Sequence, residues 1–295
     1  MKYCFKEQIN FLNYIVISFT FKYILPAWLN LFNFAIVNNL YNPVLFDIVT
    51  ASMAVLAVIV FIALLRINAG YGMMYNKKWG TTVNNRIVWI IMEVPAFTCM
   101  ALIWIFSPRA GEATPIVLGS LFELHYFQRA FIFPFLIRGK NRMPWIIILL
   151  GMIFNVINTY MIGGWIFHVS PNDFYSPSWL LSPLFILGTV IFFIGMLINL
   201  QSDHIIRHLR APGDNKHYIP TKGLYQYVTS ANYLGEFTEW IGYAILTWSI
   251  PGAVFALWTF ANLAPRARAI HARYSEEFGE AYTSLNRRYI IPFIY

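Results

Sequence analysis

The sequence predicts an all-α integral membrane protein, a seven-transmembrane helix bundle. Three observations predict it. The first is composition. Of 295 residues 58 % are apolar and only 12 % charged, with a mean hydropathy of +0.56, whereas a soluble domain carries about 25 % charged residues. The second is a series of apolar runs at 45–66, 86–107, 114–137, 145–165, 179–201, 230–249 and 251–265, most of them close to the roughly 20 residues that cross hydrocarbon. The third is charge in the connections. Lys77 and Lys78 follow the first run, Arg138, Lys140 and Arg142 the third, Arg207, Arg210, Lys216 and Lys222 the fifth, and Arg266, Arg268, Arg273, Arg287 and Arg288 the seventh. The opposite loops hold only Arg109. Basic residues in alternate loops are what the positive-inside rule gives for an odd number of spans and a cytoplasmic tail.

Before the first run, residues 11–36 are apolar but broken by Lys22 and Pro26. Residues 1–44 therefore read as an extension with an extra membrane or interfacial helix, without a clean signal-cleavage site. Residues 45–295 form the seven-span domain. The connection 202–228 is long and rich in Pro, Gly, Asn and Asp, the tail 266–295 is rich in Arg, Glu and Tyr, and the outer loops are short apart from 166–178. The polar machinery thus faces the cytoplasm. The net charge of +8 fits inward-facing loops and an anionic ligand, not nucleic acid, because no soluble basic domain exists to hold it. Two cysteines, Cys4 and Cys99, give neither a disulfide framework nor a metal-ligand spacing.

Polar residues at membrane depth carry the functional signal, since each charge there costs roughly 2.5–3.5 kcal/mol on the lenient scale and so faces a cavity or a partner. Glu93 lies two turns into the second run. It is either a structural carboxylate, paired or hydrogen-bonded near Pro95, or a functional one. In "FELHYFQRAF" (122–131), Glu123, Tyr126 and Arg129 step around one side of a helix, and His125 and Arg129 are i, i+4 neighbours. A helix-to-helix hydrogen-bond network explains this stretch as well as a site does. In "NLQSDHIIRHLR" (199–210), Asp203, Arg207 and Arg210 fall within about 80° of Asn199 at the helical period. His204 and His208 lie on the other side with a zinc-like spacing, but no third ligand is evident, so no metal is expected. In "SANYLGEFTEWIGY" (230–243), Asn232, Glu236, Glu239 and Tyr243 form an acceptor-rich stripe about 60° wide. It requires donors opposite, and Arg207, Arg210 and the tail are available. These sets describe a polar cavity open to the cytoplasm, with arginines at its mouth suited to phosphate and an aromatic-lined depth suited to an apolar substrate. The chain contains no GxGxxG or GxxxxGK[ST], so a nucleotide would be held without a Rossmann or P-loop element.

Four stretches carry a family resemblance: "WIIMEVPAF", "LHYFQRAFIFPFLIRG", the long "GMLINLQSDHIIRHLRAPGDNKHYIPTKGLYQYVTSANYLGEFTEWIGYAILTWS", and "RARAIHARYSEEFGEAY" with the terminal "RRYIIPFIY". Over roughly residues 45–295 the chain resembles the steroid 5-alpha-reductase family. The resemblance implies a seven-span fold with NADPH held between the bundle and the cytoplasmic loops. It also implies reduction of the Δ4 double bond of a 3-oxo-Δ4 steroid, by hydride addition to the enone β-carbon. By matching positions it makes Glu93 the substrate-binding glutamate and Tyr126 the catalytic tyrosine, both on the ketone oxygen. Asn199, Asp203, Arg210, Tyr218, Asn232, Glu236, Arg266, His271 and Tyr274 match cofactor-side positions, with Arg207, Arg138 and Lys140 added to them. Either Lys140 or Arg142 meets phosphate. Family members place Gln before the glutamate, where this chain has Met92. The expected partners are a small apolar enone and membrane lipid, for a monomer in the endoplasmic reticulum membrane of a eukaryote or the inner membrane of a bacterium. The competing readings are an enoyl-CoA or sterol reductase of the same superfamily, an isoprenylcysteine-type methyltransferase using S-adenosylmethionine, and a transporter. The last would set its polar residues at the midplane with access from both sides.

Overall fold

Local sequence signals start several of the helices. Asn84 accepts a hydrogen bond from the Arg86 amide (3.0 Å) at the head of one. Ser182 accepts from Phe185 N (3.1 Å) just before Pro183, and Ser249 accepts from Gly252 N (3.1 Å) just before Ile250 and Pro251. Each supplies a partner to an amide that the first turn leaves free. A computed structural model describes residues 40–67, 70, 72–74, 79–138, 142–210 and 216–295. Its long helices are α1 (Pro43–Leu64), α2 (Asn85–Ile105), α3 (Ala113–Phe127), α4 (Trp145–Gly164), α5 (Pro183–Arg207), α6 (Ala231–Thr247) and α7 (Ile250–Phe278), followed by the short α8 (Glu280–Thr283). One falls on each apolar run. The chain is a mostly helical membrane protein. Among the described residues four helices are long and apolar enough to cross a membrane: α1, α2, α4 with its continuation to Val169, and α5. The extension expected over 1–44 lies outside the described residues except for 40–44.

Several boundaries differ from expectation. The fifth run begins at Pro183, not 179, because Pro177–Leu181 forms a separate 3₁₀ turn, and α5 continues to Arg207. The seventh does not stop at 265. Pro265 removes one amide donor from the ladder, yet α7 continues to Phe278 and makes the first part of the expected tail helical. Both α3 and α4 widen into a π-helical turn, Gln128–Ile132 and Trp165–Val169, so the outer loop expected at 166–178 starts later. Strands β1 (Thr82–Asn84) and β2 (Arg142–Pro144) pair antiparallel, Val83 opposite Met143, and tie together the chain segments entering α2 and α4. On the other side, buried Arg109 donates to the Ser170 hydroxyl and carbonyl and to Asn172 Oδ1, fastening the connection after α2 to the one after α4.

The tightest packing is between α5 and α6. Glycines recur seven residues apart on each, at 188 and 195 and at 235 and 242, and they face one another in antiparallel order. A Cβ on Gly195 would fall 2.6 Å from Glu239 Cα and 2.7 Å from the Gly235 carbonyl. One on Gly242 would fall 2.7 Å from the Gly188 carbonyl. Backbones this close hold the polar residues that follow in register, because small residues allow van der Waals contact where lipid offers no hydrophobic drive between helices. α7 turns back on α6 through Trp248, whose φ of 45° puts it in the left-handed region.

Gly195→Ala is expected to destabilise the protein by about 1–3 kcal/mol, the cost of overpacking against backbone that cannot move aside. Gly111→Ala, where a Cβ meets nothing within 4 Å, serves as the control. Thermal unfolding of the two variants in the same detergent checks this, and equal midpoints would contradict it.

Candidate active site

The helices enclose a cavity of about 840 Å³, near the upper end of the roughly 300–1,000 Å³ of small-molecule sites. Glu93 lies eight residues into α2, about 12 Å along the axis at the helical rise, and it and Tyr126 of α3 both line the cavity. Both are buried, Glu93 at 9 % and Tyr126 at 3 % exposure. Their surroundings are aromatic and apolar, with Trp89, Met92, Phe154 and Trp240 in the same wall. Asn155 of α4 joins them. Its Nδ2 donates to the Met92 carbonyl (2.7 Å) and to Glu93 Oε2 (3.1 Å), and the Tyr126 hydroxyl donates to its Oδ1 (3.4 Å).

Beside this group sits a buried ionic cluster. Arg129, in the π-helical turn that continues α3, donates to Asp203 Oδ2 (3.3 Å) on α5 and to Glu236 Oε2 on α6. Its guanidinium also lies 4.9 Å from the centre of the Phe133 ring and 5.4 Å from that of Trp89. The wider turn matters because inserting a residue re-aims the side chains around it. A second pair follows the same pattern, His125 of α3 with Glu239 of α6 at 2.8 Å. These are the donors that the acceptor stripe of α6 required. They come from α3, not from Arg207, Arg210 or the tail as the sequence suggested. Hydrogen bonds extend the cluster: Asn232 Nδ2 donates to Asp203 Oδ1 (3.3 Å), the Tyr225 hydroxyl to Asn232 Oδ1 (3.3 Å), and Asn199 Nδ2 to the Asn232 carbonyl (2.9 Å).

The remaining expected residues divide into three groups. Asp203, Asn232 and Glu236 line the cavity with Arg138, Arg207, Arg210, Tyr218, Arg266 and Tyr274. Asn199 stands behind the wall, holding Asn232. His271 also does not line the cavity. Its Nδ1 lies 2.9 Å from Thr229 Oγ1 and 3.1 Å from the Tyr282 hydroxyl, so it braces the tail. Burial pushes the Tyr282 phenol above its ordinary range, and this knot keeps the tail packed on the end of the bundle. Lys140 lies outside the described residues. Its rival Arg142 spends its guanidinium on the Thr82 hydroxyl and carbonyl (2.9 and 2.6 Å). Glu123 is not in the cavity wall, although helical phasing set it on the side of Tyr126. Asn155, Trp89 and the ion-pairing role of Arg129 were not assigned to the site from sequence. The signal for Arg129 was available, since a guanidinium at that depth requires carboxylates and the α6 stripe supplies them.

A family model described as 3-oxo-5-alpha-steroid 4-dehydrogenase matches residues 141–295. The chain is 37 % identical over 230 residues to 3-oxo-5-alpha-steroid 4-dehydrogenase 1 of Homo sapiens, covering 77 % of this chain and 87 % of that one. It is 38 % identical over 242 residues to the Mus musculus protein of the same name, covering 81 % and 92 %. It is 36 % identical over 235 residues to steroid 5-alpha-reductase DET2 of Arabidopsis thaliana, covering 78 % and 88 %. The chain belongs to the 3-oxo-5-alpha-steroid 4-dehydrogenase family. It is therefore an oxidoreductase acting on CH–CH bonds, and the family implies a nicotinamide cofactor. The cavity suits such a group on its own terms. Arg207 lines it and holds a buried Nη1 with no hydrogen-bond partner among the described residues, a donor that a phosphate oxygen would satisfy.

Removing Arg129 leaves Asp203 and Glu236 together and uncompensated. Arg129→Met is expected to cost about 3–5 kcal/mol, as for a buried pair that loses one partner, and Arg129→Lys to recover part of that. Unfolding midpoints in detergent at neutral pH test this, and an unchanged midpoint for Arg129→Met would contradict the ionic cluster.

Proposed function

We propose that the protein reduces the Δ4 double bond of a 3-oxo-Δ4 steroid to the 5-alpha-reduced 3-oxo steroid, with NADPH as the reductant. The observation that carries this reading is one continuous cavity whose wall holds two chemically distinct groups. One is the Glu93–Tyr126–Asn155 set among aromatic side chains. The other is Arg138, Arg207 and Arg210 near helix ends, with Arg266 from within α7. The names of the relatives, steroid dehydrogenases and reductases, supply the substrate class.

NADPH would be held by the arginines through its phosphates, and by Asn232, Tyr218 and Tyr274, with Asp203 and Glu236 on the same side. When bound it supplies a hydride to the β-carbon of the enone. The chain's own residues do the rest. Reduction at the β-carbon puts negative charge on the ketone oxygen. Tyr126 donates a hydrogen bond to that oxygen, and Glu93 in its protonated form donates a second or keeps Tyr126 in place. A preorganised donor in a site without water is worth roughly 2.7–4 kcal/mol of barrier. The aromatic wall excludes water and receives the apolar rings. All seven long helices cross the membrane in this reading, in the order set by the basic loops. Residues 45–295 form the catalytic domain, residues 1–44 are an extension to it, and the arginines and the C-terminus face the cytoplasm of a eukaryotic endoplasmic reticulum or bacterial inner membrane. The protein works as a monomer.

The experiment is NADPH oxidation by purified protein in detergent, with a panel of Δ4-3-ketosteroids and an enoyl thioester, and product stereochemistry assigned. Turnover of the steroids to 5-alpha products, with little turnover of the thioester, is expected. So is a strong preference for NADPH over NADH, because the cavity holds more arginines than a diphosphate alone needs. Equal turnover with equal concentrations of the two cofactors would contradict that assignment. Arg210→Ala and Asn232→Ala should both weaken NADPH binding, and unchanged cofactor affinity in both folded variants would misplace the phosphate end.

Tyr126→Phe keeps the ring and removes only the donor. It should lower kcat by about 10²–10³ while leaving NADPH affinity nearly unchanged. Glu93→Gln should keep measurable activity if the glutamate acts only as a neutral donor, whereas Glu93→Leu should abolish it. Wild-type turnover by a folded Tyr126→Phe protein would remove this tyrosine from the mechanism.

A further inference from the structure

One polar side chain in the cavity has no role in the chemistry just described, and it is the one that touches both catalytic candidates. Asn155 sits on α4 in the run "WIIILLGMIFNVINTYMIGG", where the other residues lining the cavity, Ile147, Leu150, Gly151 and Phe154, are apolar. It is 5 % exposed. Burying an amide in such a place is unfavourable unless its hydrogen bonds are made.

An asparagine amide has two N–H donors on one side and an acceptor oxygen on the other. Its orientation follows from what faces it. The Met92 backbone carbonyl, 2.7 Å from Asn155 Nδ2, can only accept. The amide nitrogen therefore points to α2, and its second N–H reaches Glu93 Oε2 at 3.1 Å. That leaves Asn155 Oδ1 toward α3, where the Tyr126 hydroxyl donates to it at 3.4 Å. A reversed amide would set its oxygen against the Met92 carbonyl and lose the shortest of the three hydrogen bonds.

We propose that Asn155 is a positioning residue that fixes the proton arrangement of Glu93 and Tyr126. It acts through both of them and touches no reacting atom. Glu93 Oε2 accepts from the amide, so the acid proton of a protonated Glu93 sits on Oε1, the oxygen left free to donate. The Tyr126 hydroxyl, lightly held by Asn155 Oδ1, keeps its proton directed into the cavity wall until a stronger acceptor arrives, and then turns to it. One amide on α4 thus gives two donors on two other helices compatible proton positions. This rests on the proposed enone reduction, because it assigns both donors to the ketone oxygen.

The test uses the full chain in detergent and two substitutions. Asn155→Leu keeps the approximate volume and removes both amide functions. It should lower kcat by about 10- to 100-fold, the scale of a misplaced catalytic group. The Kd for NADPH should stay unchanged, since Asn155 bonds to none of Asp203, Asn232 or the arginines. Asn155→Asp keeps the acceptor and the shape. As a carboxylate it cannot donate to Glu93 Oε2, but as the acid it can. The ratio of its kcat to the wild-type kcat should therefore rise as pH falls, while the same ratio for Asn155→Leu stays flat. A merely structural asparagine would give flat ratios for both. If Asn155→Leu does not fold, the pH dependence of the Asn155→Asp ratio decides alone. Wild-type kcat in folded Asn155→Leu, or flat ratios in both variants, overturns the assignment while leaving the proposed function intact. A folded wild-type protein that reduces no enone overturns the function and this inference together.

Discussion

One guanidinium organises the interior. Arg129 is buried between three helices, and a positive charge in that position is tolerated only if it is neutralised on the spot. Asp203 of α5 and Glu236 of α6 meet it, and Phe133 and Trp89 pack around it. The requirement acts in both directions, because the arginine also offsets the repulsion between the two carboxylates. α3, α5 and α6 are thus joined at one depth. Since Asp203 also accepts from Asn232, the same cluster sets the cavity wall.

That arrangement is possible only because α5 and α6 come unusually close. Gly188, Gly195, Gly235 and Gly242 bring backbone against backbone at the contact, so Glu236 and Asp203 can reach one arginine from adjacent helices. Packing and electrostatics are therefore not separate contributions here. The glycines give the distance, the distance gives the ion pairs, and the ion pairs fix the lateral position of α3. α3 carries Tyr126 one turn before Arg129, so the tyrosine is held by the same charge. Glu93 comes from α2, which packs on α4, and Asn155 of α4 connects it to the tyrosine.

The sequence showed much of this in outline. Its apolar runs each hold one of the long helices, and the polar stripe of Asn232, Glu236 and Glu239 does enter the bundle on α6. Two things were not readable. The partners of that stripe were assigned to Arg207, Arg210 and the tail, because helical phasing within one segment says nothing about which neighbour it faces. The structure gives them to His125 and Arg129 instead. Asn155 was invisible for a related reason. Asn155 and Asn158 stand three apart in an apolar run, and which of them reaches a site depends on α2 and α3 meeting α4 at that level. The helix ends were misjudged where local chemistry outweighs hydropathy, at the Ser182–Pro183 start of α5 and along the polar part of α7. A spacing that was present but unread is the seven-residue interval of glycines on α5 and α6.

The central claim is that this cavity brings the reducing carbon of a nicotinamide against the β-carbon of an enone whose oxygen lies on Tyr126 and Glu93. Isotope transfer tests it most directly. Purified protein would be given a Δ4-3-ketosteroid and NADPH carrying deuterium at nicotinamide C4, prepared in each of its two stereoisomers, in ordinary water. The account predicts a 5-alpha product with one deuterium at steroid C5 from one of the two stereoisomers only, and a solvent hydrogen at C4. Deuterium at steroid C4, deuterium lost to solvent, or no reduced steroid with either stereoisomer would contradict it.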